Sequence, residues 1–411
     1  MRLTMLTLPI AASLSAGPAL AATDPVLKAA QAVRADQLKL LEQLVNIDSG
    51  TGDKESGQKA SERVATELRA LGMTVDLIPA ELPTLPDNVV ATLKGTGKGR
   101  ILMIAHSDTV FGPGTVAKRP FRMDDKRAYG PGVIDEKGGV VEGIFAIKLL
   151  KTLKVDDFRQ ITFLIETSEE RGSPGTRALI DKLLTDADVE LNLEPGEVPD
   201  GLTVWRKGST AFEIKVKGRP AHAGVSPELG RNAALELIHQ IELAGSLPKS
   251  GQGITANLTL MNAGSRYNII PEDASATINV RVREAQQSDD IDALLQRNAR
   301  TTIIPDTKVT VTHAVSFPPL PLNPATDALA TTAQRLYARI GGIVTKGGNG
   351  GASESALAYA RGVPALDGLG PVGGSPHSEE EYLELYSLTP RLYLLTSLLI
   401  EFGKNPPARA K

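Results

Sequence analysis

Residues 101–110 have the sequence ILMIAHSDTV, an apolar run of strand type that ends in His106-Ser107-Asp108. Successive side chains of a strand point to opposite faces, so His106 and Asp108 lie on one side and Ser107 on the other. Imidazole is the commonest metal ligand in proteins, and a nearby carboxylate can fix which ring nitrogen is free to bind. The pair therefore indicates either part of a metal site or a strand end that local hydrogen bonds close.

Strand-type and helix-type segments alternate around this stretch, which predicts an α/β layer with a buried mixed sheet flanked by helices. Two helices are predicted between Asp24 and about Leu71. Strands are predicted at 74–79, 88–95 and 101–106, and a second set at 161–167 and 189–195. A helix predicted at 138–153 separates the two sets. In such folds, ligands collect beyond the carboxyl ends of strands. His106, Glu169 and Glu194 all follow apolar strand runs.

The pattern changes near residue 208, where strands with one polar face begin. The order of elements from there to residue 318 is β-α-β-β-α-β, the ferredoxin-like arrangement. We expect this unit to be inserted into the α/β domain, which then consists of residues 22–207 and 319–411. The Pro-rich segment 317–324 is the predicted return connection.

Composition excludes several classes of protein. The length of 411 residues predicts two domains. The net charge of −3 and a pI near 6.1 argue against a nucleic-acid partner, because proteins bind nucleic acid largely by neutralising its phosphates with Lys and Arg. The sequence contains no cysteine, so a metal could be held only by His, Asp and Glu. After the N-terminal segment, no apolar run approaches the ~20 residues that span a bilayer, and no membrane partner is expected.

The N-terminal segment MRLTMLTLPIAASLSAGPALA has an early Arg, an apolar middle and small residues at its end. This pattern predicts a signal peptide over residues 1–21, cleaved near Ala21 or Ala22, and a secreted or periplasmic mature protein. The alternative is an ordinary amphipathic helix. The lack of acidic residues and the break at Gly17-Pro18 favour the signal peptide.

Four further segments carry residues suited to metal chemistry. Asp135 lies in the Gly-rich turn GPGVIDEKGG, where close backbone approach can aim a carboxylate, although an N-cap role is equally compatible. Glu169-Glu170 and Glu194 end apolar strands, and His377 lies in the loop SPHSEEEY. Each residue alone has an ordinary structural explanation, such as a solvated pair or a surface histidine. Together they provide two imidazoles and several carboxylates.

The ordered series AHSDTV, GPGVIDEKGG, TSEERGS, NLEP, PAHAG and PHSEEEY resembles that of the di-zinc amidohydrolases of the carboxypeptidase G, aminoacylase and succinyl-diaminopimelate desuccinylase type. The resemblance covers nearly the whole mature chain and is strongest to the periplasmic, folate-cleaving glutamate carboxypeptidase branch. It implies a zinc-exopeptidase fold with an inserted dimerisation domain, which also serves as a lid, and two Zn²⁺ per chain.

The resemblance also implies roles for individual residues. His106 and Glu194 would hold one zinc, Glu170 and His377 the other, and Asp135 would bridge both. Asp108 would orient His106, and Glu169 would be the general base.

Further roles implied by the resemblance fall on the inserted unit and on one late loop. His222 would stabilise the oxyanion in the partner subunit of a homodimer formed through 208–318. Asn268 and Arg281 would bind a substrate carboxylate. Gly351 and Ser353 would also contact the substrate, although the family pattern GGTDA is replaced there by GASES.

The implied reaction is hydrolysis of the amide bond that releases a C-terminal glutamate or aspartate. The substrates would be peptides, oligo-acidic peptides or N-acyl and folate-like conjugates. Deacylation of N-acyl amino acids would use the same metals and remains an alternative. An inactive homologue that only binds a ligand is the alternative from a different class of protein.

Overall fold

The computed structural model of this chain describes residues 24–245 and 253–409. The predicted signal peptide, residues 1–21, lies outside the described residues. The helices and strands follow in the order α1 (Pro25–Ala32), α2 (Arg34–Val45), α3 (Lys54–Ala70), β1 (Thr74–Ile78), β2 (Asn88–Lys94), β3 (Arg100–His106), α4 (Thr115–Lys118), β4 (Arg122–Met123), β5 (Arg127–Tyr129), α5 (Lys137–Thr152), β6 (Gln160–Glu166), α6 (Arg177–Asp186), β7 (Val189–Asn192), β8 (Gly201–Arg206), β9 (Gly208–Lys217), α7 (Ala233–Ala244), β10 (Thr255–Ala263), β11 (Asp273–Val282), α8 (Ala285–Asn298), β12 (Lys308–Phe317), α9 (Pro324–Tyr337), β13 (Thr345–Asn349), α10 (Ser355–Ala360), β14 (Ala365–Leu366), β15 (Gly373–Gly374), β16 (Tyr382–Glu384) and α11 (Leu388–Lys404).

The main sheet has six strands in the order β1-β2-β6-β3-β7-β14. β3 pairs in parallel with β6 and β7, and β7 with β14, whereas β1, β2 and β6 pair antiparallel. The predicted mixed α/β sheet is therefore confirmed. The carboxyl ends of β3, β6 and β7 meet at one edge, which is where ligands gather in such sheets.

Both faces of β3 are buried, which explains its continuous apolar run. Ile101 and Met103 belong to the large core that includes α5 and α11, and Leu102 and Ile104 belong to the core against α6 and α10. Because His106 continues the even-numbered series, it leaves the strand on the face of α6 and α10.

The inserted unit is a second sheet with its own core. Its strands are ordered β10-β11-β9-β12, all antiparallel, and α7 and α8 cover one face. This strand order is the ferredoxin-like arrangement expected for β-α-β-β-α-β. Phe212, Ile214 and Val216 point to the helices, and the polar residues between them lie on the open face.

The structure differs from the sequence-based expectation in its small elements. The first predicted helix is two helices, α1 and α2, which meet at Val33. Two small sheets, β8 with β13 and β15-β16-β5-β4, were not predicted. The strands of the second sheet have only two to three residues and leave no periodic signal, and β13 in the first sheet contains two glycines, which are uncommon in strands. The second of these sheets pairs β16 with β5 and so brings the loop of His377 beside the turn that follows β5.

Three-residue 3₁₀ turns lie at Glu169–Arg171, Pro227–Leu229 and Ala338–Ile340. Over residues 24–245 and 253–409, no helix combines the length and apolar composition required to cross a bilayer.

Candidate metal centre

The edge formed by the carboxyl ends of β3, β6 and β7 carries the first group of candidate ligands. His106 ends β3, and its Nε2 lies 3.1 Å from Asp135 Oδ1 and 3.6 Å from Glu194 Oε1. Glu194 follows β7, and Asp135 ends the turn between β5 and α5. One donor atom from each of these three side chains lies within 4.8 Å of the others, a spacing that can hold a metal ion.

A second group shares Asp135 with the first. Its other carboxylate oxygen, Oδ2, lies 3.2 Å from His377 Nε2, and Glu170 Oε2 lies 3.0 Å from the same nitrogen. These three side chains also offer donor atoms within 4.8 Å of one another. Asp135 therefore presents one oxygen to each group, as a bridging ligand would.

Asp108 holds both the imidazole and the turn that carries the two glutamates. Its Oδ1 lies 3.4 Å from His106 Nδ1, and its carboxylate accepts hydrogen bonds from the backbone N–H of Glu169 (3.1 Å) and Glu170 (3.3 Å). The Thr51 hydroxyl donates to the same carboxylate at 2.6 Å. Asp108 thus contacts Nδ1 of His106 while Nε2 lies beside Asp135, a geometry in which a carboxylate can orient a metal-binding imidazole.

The electrostatics reflect the crowding of carboxylates around the two histidines. Burial lowers the pKa of His106, but hydrogen bonds to Asp108, Asp135 and Glu194 outweigh burial and raise it well above the ordinary value. Hydrogen bonds to Asp135 and Glu170 raise the pKa of His377 to about 10. Burial raises the pKa of Asp135, but hydrogen bonds from both histidines prevail and lower it.

The glutamates respond mainly to burial. Burial raises the pKa of Glu194 to about 7, against the attraction of Arg206. Burial also raises the pKa of Glu169 well above its usual range, with further contributions from the charges of Glu354 and Glu194. A carboxylate with a raised pKa is a better proton acceptor near neutral pH.

These groups face a cavity of about 490 Å³ between the main sheet and the inserted unit. Both sides contribute cations and polar groups to its wall. Its lining includes Asp135, Glu169, Glu170, Glu194, His377, Arg171, Arg206, Ser209, Asn279, Arg281, Ser316, Asn349 and Gly351. Four of the five metal-ligand candidates, the predicted base and two of the predicted substrate contacts, Arg281 and Gly351, therefore meet at one cavity, and the buried His106 lies behind Asp135 and Glu194.

Three predicted residues are placed elsewhere. Ser353 is fully buried, donates a hydrogen bond to Asp367 and does not line the cavity, so its contact with the substrate stays a prediction that this arrangement does not favour. His222 and Asn268 are exposed and do not line the cavity within the described residues. They lie beside each other, because Ala223 N–H donates to Asn268 O at 3.0 Å.

Two supporting residues escaped the sequence analysis. Arg206, at the end of β8, donates to Glu194 Oε2 at 3.2 Å and makes two hydrogen bonds to Asp367, at 2.6 and 2.7 Å.

The second is Glu381, which accepts hydrogen bonds from the backbone N–H of Gly132 (3.0 Å), Ile134 (3.0 Å) and Asp135 (3.1 Å). The Asp135 turn is thereby fastened to the loop that carries His377. The only sequence signal for this contact is the acidic run SEEE, residues 378–381, which follows His377.

Comparison with known proteins places most of the chain in one peptidase family. Residues 102–401 match Peptidase family M20/M25/M40. Carboxypeptidase G2 of Pseudomonas sp. (strain RS-16) is 35% identical over 372 residues, which is 89% of each chain. An M20 family metallo-carboxypeptidase from Sulfolobus solfataricus has a TM-score of 0.72 at 16% identity and covers 89% of this chain and 99% of its own. A tripeptidase from Staphylococcus aureus has a TM-score of 0.72 at 22% identity, with 90% and 98% covered.

Proposed function

This chain belongs to peptidase family M20/M25/M40 and is a metallopeptidase, and we propose that it is a zinc-dependent exopeptidase that releases a C-terminal glutamate or aspartate. Peptides, oligo-acidic peptides and N-acyl or folate-like conjugates are the proposed substrates. The single observation that carries this proposal is the meeting, at one cavity, of two donor groups joined by Asp135, the carboxylate of Glu169 and the guanidinium of Arg281.

The donor atoms fit two zinc ions. Each group combines one imidazole nitrogen with two carboxylates, a donor set that zinc accepts in catalytic sites. Glu170 Oε1 is buried and has no hydrogen-bond partner among the described residues, which leaves it free for a cation. When bound, two zinc ions supply Lewis-acid chemistry, because they lower the pKa of water and polarise a substrate carbonyl.

Within that site, Glu169 is the residue placed to move the proton. Its raised pKa lets it take a proton from the attacking water near neutral pH, hold it during attack on the carbonyl carbon and deliver it to the leaving amide nitrogen. Asp108 supports this role because it fixes the backbone N–H groups of both Glu169 and Glu170. The same hydrogen bonds keep the base beside the ligand Glu170.

Arg281 is the proposed partner of the substrate's carboxylate. It is half-buried at the cavity, and its Nε donates at 3.2 Å to the neutral Asn279. Within the described residues no carboxylate forms an ion pair with it, whereas Arg206 is already paired with Asp367 and Glu194. A guanidinium in that state favours a planar anion that it can bind through two hydrogen bonds.

His222 and Asn268 fit this proposal as residues that a second subunit contributes. Both are exposed, and the described residues of their own chain place them away from its cavity. The inserted unit also exposes apolar side chains on α7 and on the edge strand β10, namely Leu235, Ile238, Leu258 and Leu260. Exposed apolar groups beside an unpaired strand edge suit a homodimer contact through residues 208–318.

Secretion to the periplasm, with cleavage near Ala21 or Ala22, completes the proposal. It rests on the N-terminal sequence pattern.

Product analysis on the zinc-loaded protein tests the reaction. We expect free aspartate or glutamate from oligo-aspartate, N-acyl-aspartate, N-acyl-glutamate or folate, with loss of activity on chelation and recovery with zinc. A protein that binds two zinc ions and releases no acidic amino acid from any of these substrates would contradict the proposal. Preference for N-acyl derivatives of neutral amino acids would favour the aminoacylase-like alternative.

Co-expression of two inactive variants tests the contribution of the partner. Glu169→Gln and His222→Ala subunits should each be nearly inactive alone, because one lacks the base and the other an oxyanion donor. A mixed dimer would contain one complete site and should recover activity. If the mixture is no more active than its parents, His222 does not act across subunits.

A further inference from the structure

A second cavity, of about 730 Å³, lies against the turn Glu169–Arg171, next to the cavity that contains the metal-ligand candidates. Glu170 and Arg171 line both cavities. The two spaces thus share the turn that presents the proposed base and one proposed ligand. A substrate whose amide bond lies at the metal centre can therefore extend from Arg281 on one side into the second cavity on the other.

Most of the residues that line the second cavity belong to two loops, residues 50–54 and 109–113. Backbone hydrogen bonds link the loops, because Thr51 N–H donates to Thr109 O at 3.0 Å and Thr109 N–H donates to Ser49 O at 3.0 Å. The loop positions are therefore fixed by the fold. Side chains at their surface decide which substrate groups the cavity accepts.

Arg171 is the cation most available in this cavity. Its side chain is exposed, and within the described residues its guanidinium makes no hydrogen bond, ion pair or ring contact. It lies over Gly52, where a Cβ would come within 3.4 Å of Nη1, and Gly52 has a φ of +100° that favours glycine. The absence of a side chain at Gly52 therefore leaves room for the guanidinium at the cavity wall.

The other charged side chains that line the second cavity do not form ion pairs with Arg171 among the described residues. Lys54 adds a second cation, whose Nζ donates at 2.6 Å to the carbonyl of Pro83. Of the two lining carboxylates, Asp53 caps α3 by accepting from Ser56 N–H at 3.2 Å, and Glu170 pairs with His377. The free guanidinium therefore favours an anionic group in the second cavity.

We infer that Arg171 is a specificity residue that binds an acidic side chain on the residue preceding the scissile amide bond. The inference rests on the proposed function, in which Arg281 takes the carboxylate of the released amino acid. The preferred substrate class is then a peptide with consecutive acidic residues at its C-terminus.

Two isosteric peptides test this inference. Acetyl-Asp-Asp and acetyl-Asn-Asp release the same amino acid and differ by one charge before the scissile bond. The readout is the ratio of their kcat/KM values in zinc-loaded protein. The wild type should prefer acetyl-Asp-Asp, and Arg171→Gln should lower this ratio about tenfold while changing kcat/KM for acetyl-Asn-Asp little.

Two further variants separate charge from structure. Arg171→Lys keeps the charge and should retain most of the preference, whereas Arg300→Gln removes an exposed arginine of the inserted unit and should leave the ratio unchanged. Added salt should lower the ratio of the wild type but not that of Arg171→Gln, because an exposed cation is screened.

The outcomes are distinguishable. An unchanged ratio in Arg171→Gln, an equal fall for both peptides, or a lysine variant as indiscriminate as the glutamine variant would overturn the inference and leave the proposed function standing. Failure of the zinc-loaded wild type to hydrolyse either peptide would overturn this inference, and it would overturn the proposed function as well only if oligo-aspartate, N-acyl-aspartate, N-acyl-glutamate and folate also released no acidic amino acid.

Discussion

The two donor groups that share Asp135 are built differently. His106 ends a strand that is buried on both faces and is 1% exposed, and Asp108 contacts its second nitrogen. His377 lies in a loop with positive φ values at Ser375 and His377, and its side chain is 53% exposed. The group around His106 is fixed by the main sheet, whereas the group around His377 depends on contacts between loops. We therefore expect the first group to bind zinc more tightly than the second.

The change expected to have the largest effect removes what the two groups have in common. Asp135→Ala deletes one donor oxygen from each, so both zinc ions should bind more weakly and activity should fall about 10⁴-fold. Metal content by elemental analysis and kcat/KM with an acidic peptide measure this. Retention of two tightly bound zinc ions would show that Asp135 is not the shared ligand.

Loss of the base should lower activity without affecting either group. Glu169→Gln should reduce kcat about 10³-fold, because the proton carrier is lost while the five proposed ligands remain. The zinc content should stay at the wild-type value. Turnover near the wild-type rate would refute the assignment of Glu169, and loss of zinc would make it a ligand instead.

Removal of the contact between the two loops should weaken mainly the second group. Glu381 is 1% exposed and accepts three backbone hydrogen bonds from the Asp135 turn. Glu381→Gln should lower zinc affinity about 10- to 100-fold, as for other residues that orient metal ligands. The neighbouring exposed Glu380 provides the control, because Glu380→Gln should bind zinc as the wild type does. Equal affinities in both variants would contradict this role.

The last prediction needs no mutation and has the smallest effect when it is counted for each unit of pH. The pKa of His377 is raised to about 10 by Asp135 and Glu170, so the metal-free imidazole is protonated near neutral pH. Zinc must displace that proton, and zinc affinity of this group should rise about tenfold per pH unit between pH 6 and 8 and level off above about 10. Calorimetry in buffers of different ionisation enthalpy would detect the released proton. Affinity that does not change with pH would mean that His377 is already neutral.

The sequence predicted those parts of the site that the main sheet positions. His106, Glu170 and Glu194 follow apolar strand runs, and the carboxyl-end rule for parallel strands places them together. The ligand roles of all five residues came from the family resemblance, and no local pattern indicated that His377 lies beside Asp135, since the short strand β16 that brings it there has no periodic signal.

Buried polar pairs were beyond sequence reasoning. Arg206 and Asp367 lie 161 residues apart in the chain, and nothing in either segment indicates their contact. Ser353 was assigned to the substrate because of its position in the family pattern, from which its segment departs, and its hydroxyl donates to Asp367 of the same buried pair. Contacts between distant segments depend on tertiary packing, which local patterns do not report.

A stepwise zinc titration tests the central claim, that one carboxylate joins two unequal metal sites. Competition with a chelator measures the stoichiometry and both affinities of the wild type. We predict two zinc ions per chain, of which one dissociates at lower chelator concentration, with Glu381→Gln weakening mainly that ion. A single bound ion, or two ions that leave in one step and respond equally to Glu381→Gln, would contradict the account.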